Sequence, residues 1–181
     1  PAEAARSAQP YLGRWRAYLT GNRIAAIVNL RGPQPHWGWW RRETAICGKL
    51  GIRHFDVRIS SRKLPGREIL ISLIDAFDAA PKPMMIKCSG GQDRTSFAAA
   101  LYLLHRDGWN AFDAAALQYS RFPYLHFPKT YQRWLRLFID FARLDAHGAP
   151  LADWLRTGYD RDRLAAWLQA TGHGKSYQDF L

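Results

Sequence analysis

One stretch constrains this chain more than any other: Met84-Met85-Ile86-Lys87-Cys88-Ser89-Gly90-Gly91-Gln92-Asp93-Arg94-Thr95-Ser96-Phe97-Ala98-Ala99-Ala100-Leu101. A short apolar run ends at a cysteine, two glycines follow, and an arginine stands six residues after the cysteine, where an Ala/Leu-rich run begins. The pattern spells a strand, a tight loop and a helix N-terminus. Backbone N–H groups in such a loop can converge into an anion nest, and the helix dipole adds to the pull. Gly90 and Gly91 allow the backbone angles and the close approach that a nest requires. A cysteine sulfur lying in the nest is expected to titrate low and to act as a thiolate. Arg94 can hold two oxygens of a phosphoryl group through its planar fork. If Cys88 were only a small buried hydrophobe and Arg94 an ordinary helix opener, neither glycine would be explained. Nor would a cation at a helix start, where the dipole disfavours it.

Cys88-x5-Arg94-Thr95 resembles the phosphate-binding loop of the cysteine-dependent protein tyrosine phosphatase superfamily. Its Asp-Arg-Thr ending is most similar to bacterial dual-specificity-phosphatase-like members and to phosphoinositide-phosphatase branches. The strand before, the glycines within, the threonine after and the apolar helix following make the joint signal specific. Arg6-Ser7-Ala8-Gln9-Pro10 resembles a segment near the start of the bacterial members. It also reads as a plain polar lead-in, and composition does not choose between the two. The resemblance implies metal-independent phosphomonoester hydrolysis without a cofactor, on tyrosine or dual-specificity substrates or on phosphoinositides and inositol phosphates. Cys88 would be the nucleophile. Arg94 and the loop amides of Ser89, Gly90, Gly91 and Gln92 would hold the equatorial oxygens. The Thr95 hydroxyl, beside the nest, can hydrogen-bond the sulfur or simply cap the helix. The general acid is open between two carboxylates. Many members carry an aspartate about thirty residues before the cysteine, a separation that suits Asp56, although its neighbours read as strand. Asp93, inside the loop, is the other candidate and the favoured one. Two positions depart from the family pattern. Lys87 stands where a histidine commonly precedes the cysteine, and can favour a thiolate by its charge. Ser96 replaces a common glycine and is expected to crowd the helix start slightly.

At 181 residues the chain is expected to form a single domain, 1–181, with a core that needs neither disulfide nor metal. With 48% hydrophobic and 14% aromatic residues, a disordered chain is excluded. Two cysteines, Cys47 and Cys88, build no disulfide framework and no thiol metal cluster. Cys47 reads as a packed helix-face residue, with a regulatory bond to Cys88 as the minor alternative. No apolar run approaches the length of a membrane span. A working thiolate favours the cytoplasm. The chain opens at Pro1, which leaves an upstream signal or anchor as an open alternative. A net charge of +11 attracts polyanions such as nucleic acid, anionic lipid surfaces, inositol phosphates or phosphoproteins. With a phosphate loop present, that charge reads as steering of a phosphorylated substrate. An anionic membrane surface is a further partner, and nucleic acid is not expected. Two alternatives stand beside the enzyme: an inactive phosphate-binding module on the same fold, and a basic nucleic-acid or membrane binder. The basic residues are scattered along the chain, not massed in one block, which counts against the second.

Along the chain, Tyr11 to Asn22 has helical spacing through Leu12, Trp15 and Leu19. Ile24 to Leu30 reads as a strand covered on both faces. Arg31 follows it, beyond the strand's carboxyl end, where open α/β sheets bind ligands, and so is a candidate for the phosphate site. Arg41 to Leu50 reads as a helix ending at Gly51. Ile52 to Ile59 reads as a strand with Ile52, Phe55 (out of register), Val57 and Ile59 largely inward, and His54, Asp56 and Arg58 on the other side. Ser60 to Gly66 is a loop without an acid, and with Arg58 it brings Arg62 and Lys63 as candidates to ring the pocket. Ile69, Leu70, Leu73, Ile74 and Phe77 mark one face of the next helix. The phosphate-loop helix runs to Gly108, and Asn110 is expected to cap another. An aromatic-rich loop from Arg121 to Pro128 carries His126, read as a packed histidine or a substrate contact. Tyr131, Trp134, Leu135, Phe138 and Ile139 mark an amphipathic helix, and shorter helices start at Leu151 and Asp160. Strands alternating with helices, then helices alone, predict an α/β fold with a small, mainly parallel sheet flanked by helices and a helical C-terminal half, in agreement with the phosphatase-like three-layer fold that the resemblance implies for nearly the whole chain.

Overall fold

The computed structural model describes residues 3–10 and 15–178. Its centre is a four-stranded, wholly parallel sheet in the order β1-β4-β2-β3, formed by β1 (Ala4–Ser7), β2 (Ala26–Asn29), β3 (Arg53–Asp56) and β4 (Met84–Lys87). All four residues of β2 and of β4 are buried, as central parallel strands with both faces covered must be. Their alternating side chains separate two cores. Ala26, Val28, Met84 and Ile86 face the larger one, where Leu73 and Phe77 of α3 (Arg67–Ala79), Phe97 and Leu101 of α4 (Asp93–Asp107), and Trp134 and Phe138 of α6 (Trp134–Asp145) pack. Ile27 and Met85 face the smaller one, with Trp15 and Leu19 of α1 (Trp15–Gly21) and Cys47 of α2 (Gly38–Leu50). Three layers result, with most of the helical half on the side of α4. The short α5 (Phe112–Leu117), α7 (Leu151–Thr157) and α8 (Arg161–Ala170) complete it.

The predicted three-layer arrangement is present, and the differences from expectation are local. β1 is a strand and not a polar lead-in. It pairs with β4 from Ala4↔Met84 to Ser7↔Lys87, a partnership some eighty residues away in sequence. Phe55 is not out of register. It packs with Val57 and Ile59 against the larger core, while Ile52 belongs to the smaller one. Ile69 is 36% exposed, because the buried face of α3 is carried by Leu70, Leu73, Ile74, Ala76 and Phe77. α2 begins at Gly38, three residues before the expected start. Asn110 caps nothing: it lies in a short 3-10 turn, and Ala111 precedes α5. Tyr131 likewise sits in a 3-10 turn ahead of α6. Leu12 and the start of the first predicted helix fall outside the described residues. Among the described residues no helix is long and apolar enough to cross a membrane.

Candidate active site

β4 ends at Lys87, α4 begins at Asp93, and the loop between them closes over the Cys88 sulfur. The Gly91 N–H donates to Cys88 Sγ at 3.2 Å, so the thiol faces the loop although the residue is only 3% exposed. Gly91 has φ +68, and a Cβ there would stand 2.6 Å from the Ala8 nitrogen and 2.9 Å from the Ser7 carbonyl carbon. Only glycine fits so close a backbone approach at a positive φ. Arg94 lies in the first turn of α4 and folds back over the loop. Its guanidinium donates to Ser89 Oγ at 2.8 Å and to the Leu30 carbonyl at 3.4 Å. Thiol, Gly91 amide and guanidinium therefore converge at the positive end of a four-turn helix.

Two residues of the β1 edge hold this loop from behind, and sequence reasoning assigned neither a role. The Gln9 N–H donates to the Ser89 carbonyl at 2.9 Å. Arg6 donates to Ser96 Oγ at 2.8 Å and to the Gly91 carbonyl at 3.5 Å, while its other nitrogen holds the carbonyl and side chain of Gln118. Its guanidinium also lies 4.1 Å from the Tyr124 ring centroid. Burial lowers the Arg6 pKa, against the opposing pull of Tyr124, Cys88 and Tyr119. Ser96 thus does not crowd the helix start; its hydroxyl receives Arg6. The one available signal was the resemblance of the Arg6–Pro10 segment itself.

Lys87 does not support the thiolate by contact. Adjacent strand residues point to opposite faces, so Lys87 projects to the α2 side of the sheet, away from Cys88. There its ammonium meets Glu43 Oε1 at 2.7 Å and Gln9 Oε1 at 2.9 Å and lies 4.7 Å from the Trp39 ring centroid. Glu43 Oε1 also meets His54 Nε2 at 2.8 Å, and its Oε2 accepts from Gln9 Nε2 at 2.7 Å. Burial raises the Glu43 pKa, but the His54 hydrogen bond, the Lys87 charge and the Lys87 and Gln9 hydrogen bonds outweigh it and hold the carboxyl below its ordinary value. Arg31 joins the same brace: it donates to Gln9 Oε1 at 3.0 Å and lies 3.6 Å from the Trp39 ring centroid. Cys47 is packed among the apolar residues of this face and 1% exposed. Burial, with the Glu43 charge adding to it, pushes its thiol up to about 12. Both cysteines are free thiols, and they pack in cores on opposite faces of the sheet, so no regulatory bond joins them.

The two candidate acids are placed very differently. Asp56 closes β3, two strands from β4 and about 10 Å away at the usual strand spacing. Both its oxygens are taken, Oδ1 by Asn29 Nδ2 at 2.5 Å and Oδ2 by Trp40 Nε1 at 3.0 Å. That makes it a structural acceptor at the end of the brace. Asp93 opens α4 inside the loop, with its side chain 24% exposed. Its partners are side chains from the helical half, not loop amides: Gln132 Nε2 donates to Oδ2 at 3.0 Å, and His126 Nε2 lies 3.4 Å from Oδ1. Gln132 also donates to Ser61 Oγ at 3.2 Å, which ties the acid-free loop after β3 to the site. The Thr95 hydroxyl does not reach the sulfur. It is fully buried and has no hydrogen-bond partner among the described residues, while Sγ is turned to Gly91.

No protein-family model and no curated protein matches the sequence. Among solved structures, P. aeruginosa TpbA superposes with a TM-score of 0.51 at 18% identity, over 92% of this chain and 86% of that one. That likeness shows a shared fold. The core catalytic domain of the PP-IP phosphatase SIW14 from S. cerevisiae gives a TM-score of 0.49 at 16% identity, over 95% of this chain and 90% of that one.

The loop, not cavity size, marks the candidate site. A hollow of about 330 Å³ adjoins it, lined by Arg6, Gly90, Gly91, Gln92, Tyr124 and Leu125 among others. Two hollows of about 650 Å³ lie elsewhere, one beside Arg133 and His173, the other between β3 and α3. Of the residues expected from sequence, the fold gathers Cys88, Ser89, Gly90, Gly91, Gln92, Asp93, Arg94 and Thr95 in or next to one loop. It sends Asp56 and Arg31 to the brace. Arg58, Arg62 and Lys63 are exposed, Arg58 donating to the Pro33 carbonyl and Arg62 lying 5.3 Å from the Tyr131 ring centroid.

Proposed function

We propose that the protein hydrolyses phosphate monoesters through a cysteinyl-phosphate. One observation carries this: the Cys88 sulfur takes an N–H from its own loop while Arg94 folds over that loop from the helix start. In the first step the Cys88 thiolate attacks phosphorus in line, the S–P bond forms and the P–O bond to the leaving group breaks. Arg94 and the amides of Ser89 to Arg94 stabilise the equatorial oxygens. Asp93 gives its proton to the leaving oxygen. In the second step water attacks phosphorus, its proton passes to Asp93, and the thiolate departs with inorganic phosphate as product. Asp93 takes this role over Asp56 because it lies in the loop with one oxygen not held by a protein donor.

The exposed cations Arg58, Arg62, Lys63, Arg121 and Lys129 favour substrates with more than one negative charge. Exposed Phe122, Leu125 and Phe127, in a segment that borders the hollow beside the loop, favour delivery of such a substrate at an anionic membrane surface. The test is phosphate release from an activated aryl phosphate with chelator present, extended to phosphopeptides, inositol phosphates and phosphoinositide vesicles. Cys88→Ser abolishes turnover, and Arg94→Ala lowers it by about 10²–10³. Turnover that survives Cys88→Ser, or vanishes with chelator, refutes the mechanism.

A further inference from the structure

We propose that residues 121–129 form a docking wedge for an anionic bilayer: Phe122, Leu125 and Phe127 insert among the headgroups, and a collar of cations from two loops meets the lipid charge. The proposal deepens the function proposed above, and rests on it for the substrate that docking would serve, one held at the same surface as the Cys88 loop.

Three large apolar side chains stand outward in one short segment: Phe122 is 79%, Leu125 49% and Phe127 57% exposed. The segment is nonetheless held in shape. The Leu125 N–H donates to the Arg121 carbonyl at 2.9 Å and the His126 N–H to the Ser120 carbonyl at 3.2 Å, which closes the chain into a tight turn. Tyr124 and His126 point the other way. The Arg6 guanidinium lies 4.1 Å from the Tyr124 ring centroid, and the buried His126 ring stands edge-on to Tyr119. Leu125 has φ +52, a left-handed conformation that is unfavourable for a residue with a side chain. The hydrophobic effect alone would fold the three apolar tips back onto the protein; the inward anchors hold them out.

Charge decides what such a wedge meets. From Ala114 to Arg133, and from Arg58 to Arg67, the chain contains no acid. The two stretches touch, since Gln132 Nε2 donates to Ser61 Oγ at 3.2 Å and Trp134 Nε1 to the Ser61 carbonyl at 3.1 Å. They carry Arg58, Arg62, Lys63, Arg121, Lys129 and Arg133, all exposed. Among the described residues none of these cations forms an ion pair, whereas Arg106, Arg136, Arg156 and Arg163 are each paired with an acid. A second copy of the chain would set like charges against like. A nucleic-acid strand needs rings and cations interleaved along a track; here the apolar tips are gathered in one turn with cations beside them, Arg121 lying 5.8 Å from the Phe127 ring centroid. An anionic bilayer suits both halves of the patch. The patch also borders the catalytic loop: Pro123, Tyr124 and Leu125 line one hollow with Gly90, Gly91 and Gln92, and Gln132 holds Asp93. Insertion by about 5–10 Å therefore sets that loop at the headgroup level.

The experiment measures partition by sedimentation with vesicles of phosphatidylcholine alone and of phosphatidylcholine mixed with phosphatidylserine, across a salt series. Wild type should bind the mixed vesicles, and added salt should release it. Phe122→Ser combined with Phe127→Ser should lower the partition coefficient by about 10², about tenfold for each ring withdrawn from the interface. The urea midpoint of that variant and its turnover of a soluble aryl phosphate should stay at wild-type values. Arg121→Gln combined with Lys129→Gln should lower partition about 25-fold, about fivefold for each cation. Equal binding to both vesicle types, or wild-type partition in the double phenylalanine variant, overturns the proposal. So does a soluble dimer that this variant disperses, or binding of a single-stranded oligonucleotide without binding of vesicles. Cys88→Ser separates the two claims, because it should abolish aryl turnover and leave partition unchanged. Absence of partition with aryl turnover intact sinks only the wedge; aryl turnover that survives Cys88→Ser sinks only the hydrolytic mechanism.

Discussion

Glu43→Leu is the most informative stability perturbation, because it removes one member of an ion pair that has almost no access to water. The Lys87 side chain is 0% exposed and that of Glu43 is 2% exposed, with 2.7 Å between their charged atoms. Leucine occupies much of the glutamate's volume, so the loss is electrostatic and not a large cavity. The ammonium of Lys87 keeps Gln9 Oε1 at 2.9 Å and the Trp39 ring face but has lost its countercharge. Removing one partner of a buried pair costs about 3–5 kcal/mol, against ~1 kcal/mol for a neutral hydrogen bond. With a urea m-value of about 2 kcal/mol/M, the unfolding midpoint should fall by about 1.5–2.5 M. Lys87→Met should cost a similar amount, since it strands the carboxylate. The double variant replaces the pair by apolar groups and should recover most of the loss, short of the hydrogen bonds that His54 and Gln9 forfeit. Equilibrium urea unfolding of the three variants gives the cycle directly. A Glu43→Leu cost under about 1 kcal/mol, or a double variant equal to the sum of the singles, would refute a charge-paired brace beneath the loop.

Three other predictions concern the same scaffold. The folded-state pKa of Glu43 is depressed, so its contribution is complete above the unfolded value and lost as pH falls through the folded one. The fall of the urea midpoint below pH ~4.5 should therefore be shallower in Glu43→Gln than in wild type. Gly91→Ala forces a Cβ to 2.6 Å from the Ala8 backbone at a φ of +68. Its cost should be about 1–3 kcal/mol with a loss of turnover, measured by denaturation and initial rates; a silent variant would show that β1 does not press on the loop. Cys47, 1% exposed and titrating at about 12, should resist iodoacetamide at neutral pH until urea unfolds the chain, as peptide mass spectrometry can follow. Labelling of Cys47 in the native protein would contradict its packing.

The strand–loop–helix unit around Cys88 was legible in the sequence because its determinants are local. A buried strand, two glycines, a cysteine and an arginine one loop apart, and an Ala/Leu helix lie within eighteen residues, and each acts on its neighbours. β1 was not legible: four half-buried residues carry no periodic signal, and only pairing with β4 makes them a strand. For the same reason the Arg6–Pro10 segment stayed open between a family resemblance and a polar lead-in until the β1 edge brought Arg6 and Gln9 under Ser89, Gly91 and Ser96. Asp56 was credited by its separation from Cys88 along the chain, whereas its position two strands away depends on sheet order. Lys87 was placed beside the thiolate by adjacency in sequence, but alternation along a strand sends neighbours to opposite faces.

By itself the sequence determined the strand–loop–helix unit and the small, mainly parallel sheet wrapped by helices, since short-range sterics and hydrophobic periodicity set both. Tertiary structure alone decided that Glu43 meets Lys87, that Asp56 is spent on Asn29 and Trp40, and that His126 turns inward to Asp93. Those pairings join residues 16 to 44 positions apart. Their energies depend on burial and on which faces the sheet order brings together, and neither exists until the chain has folded.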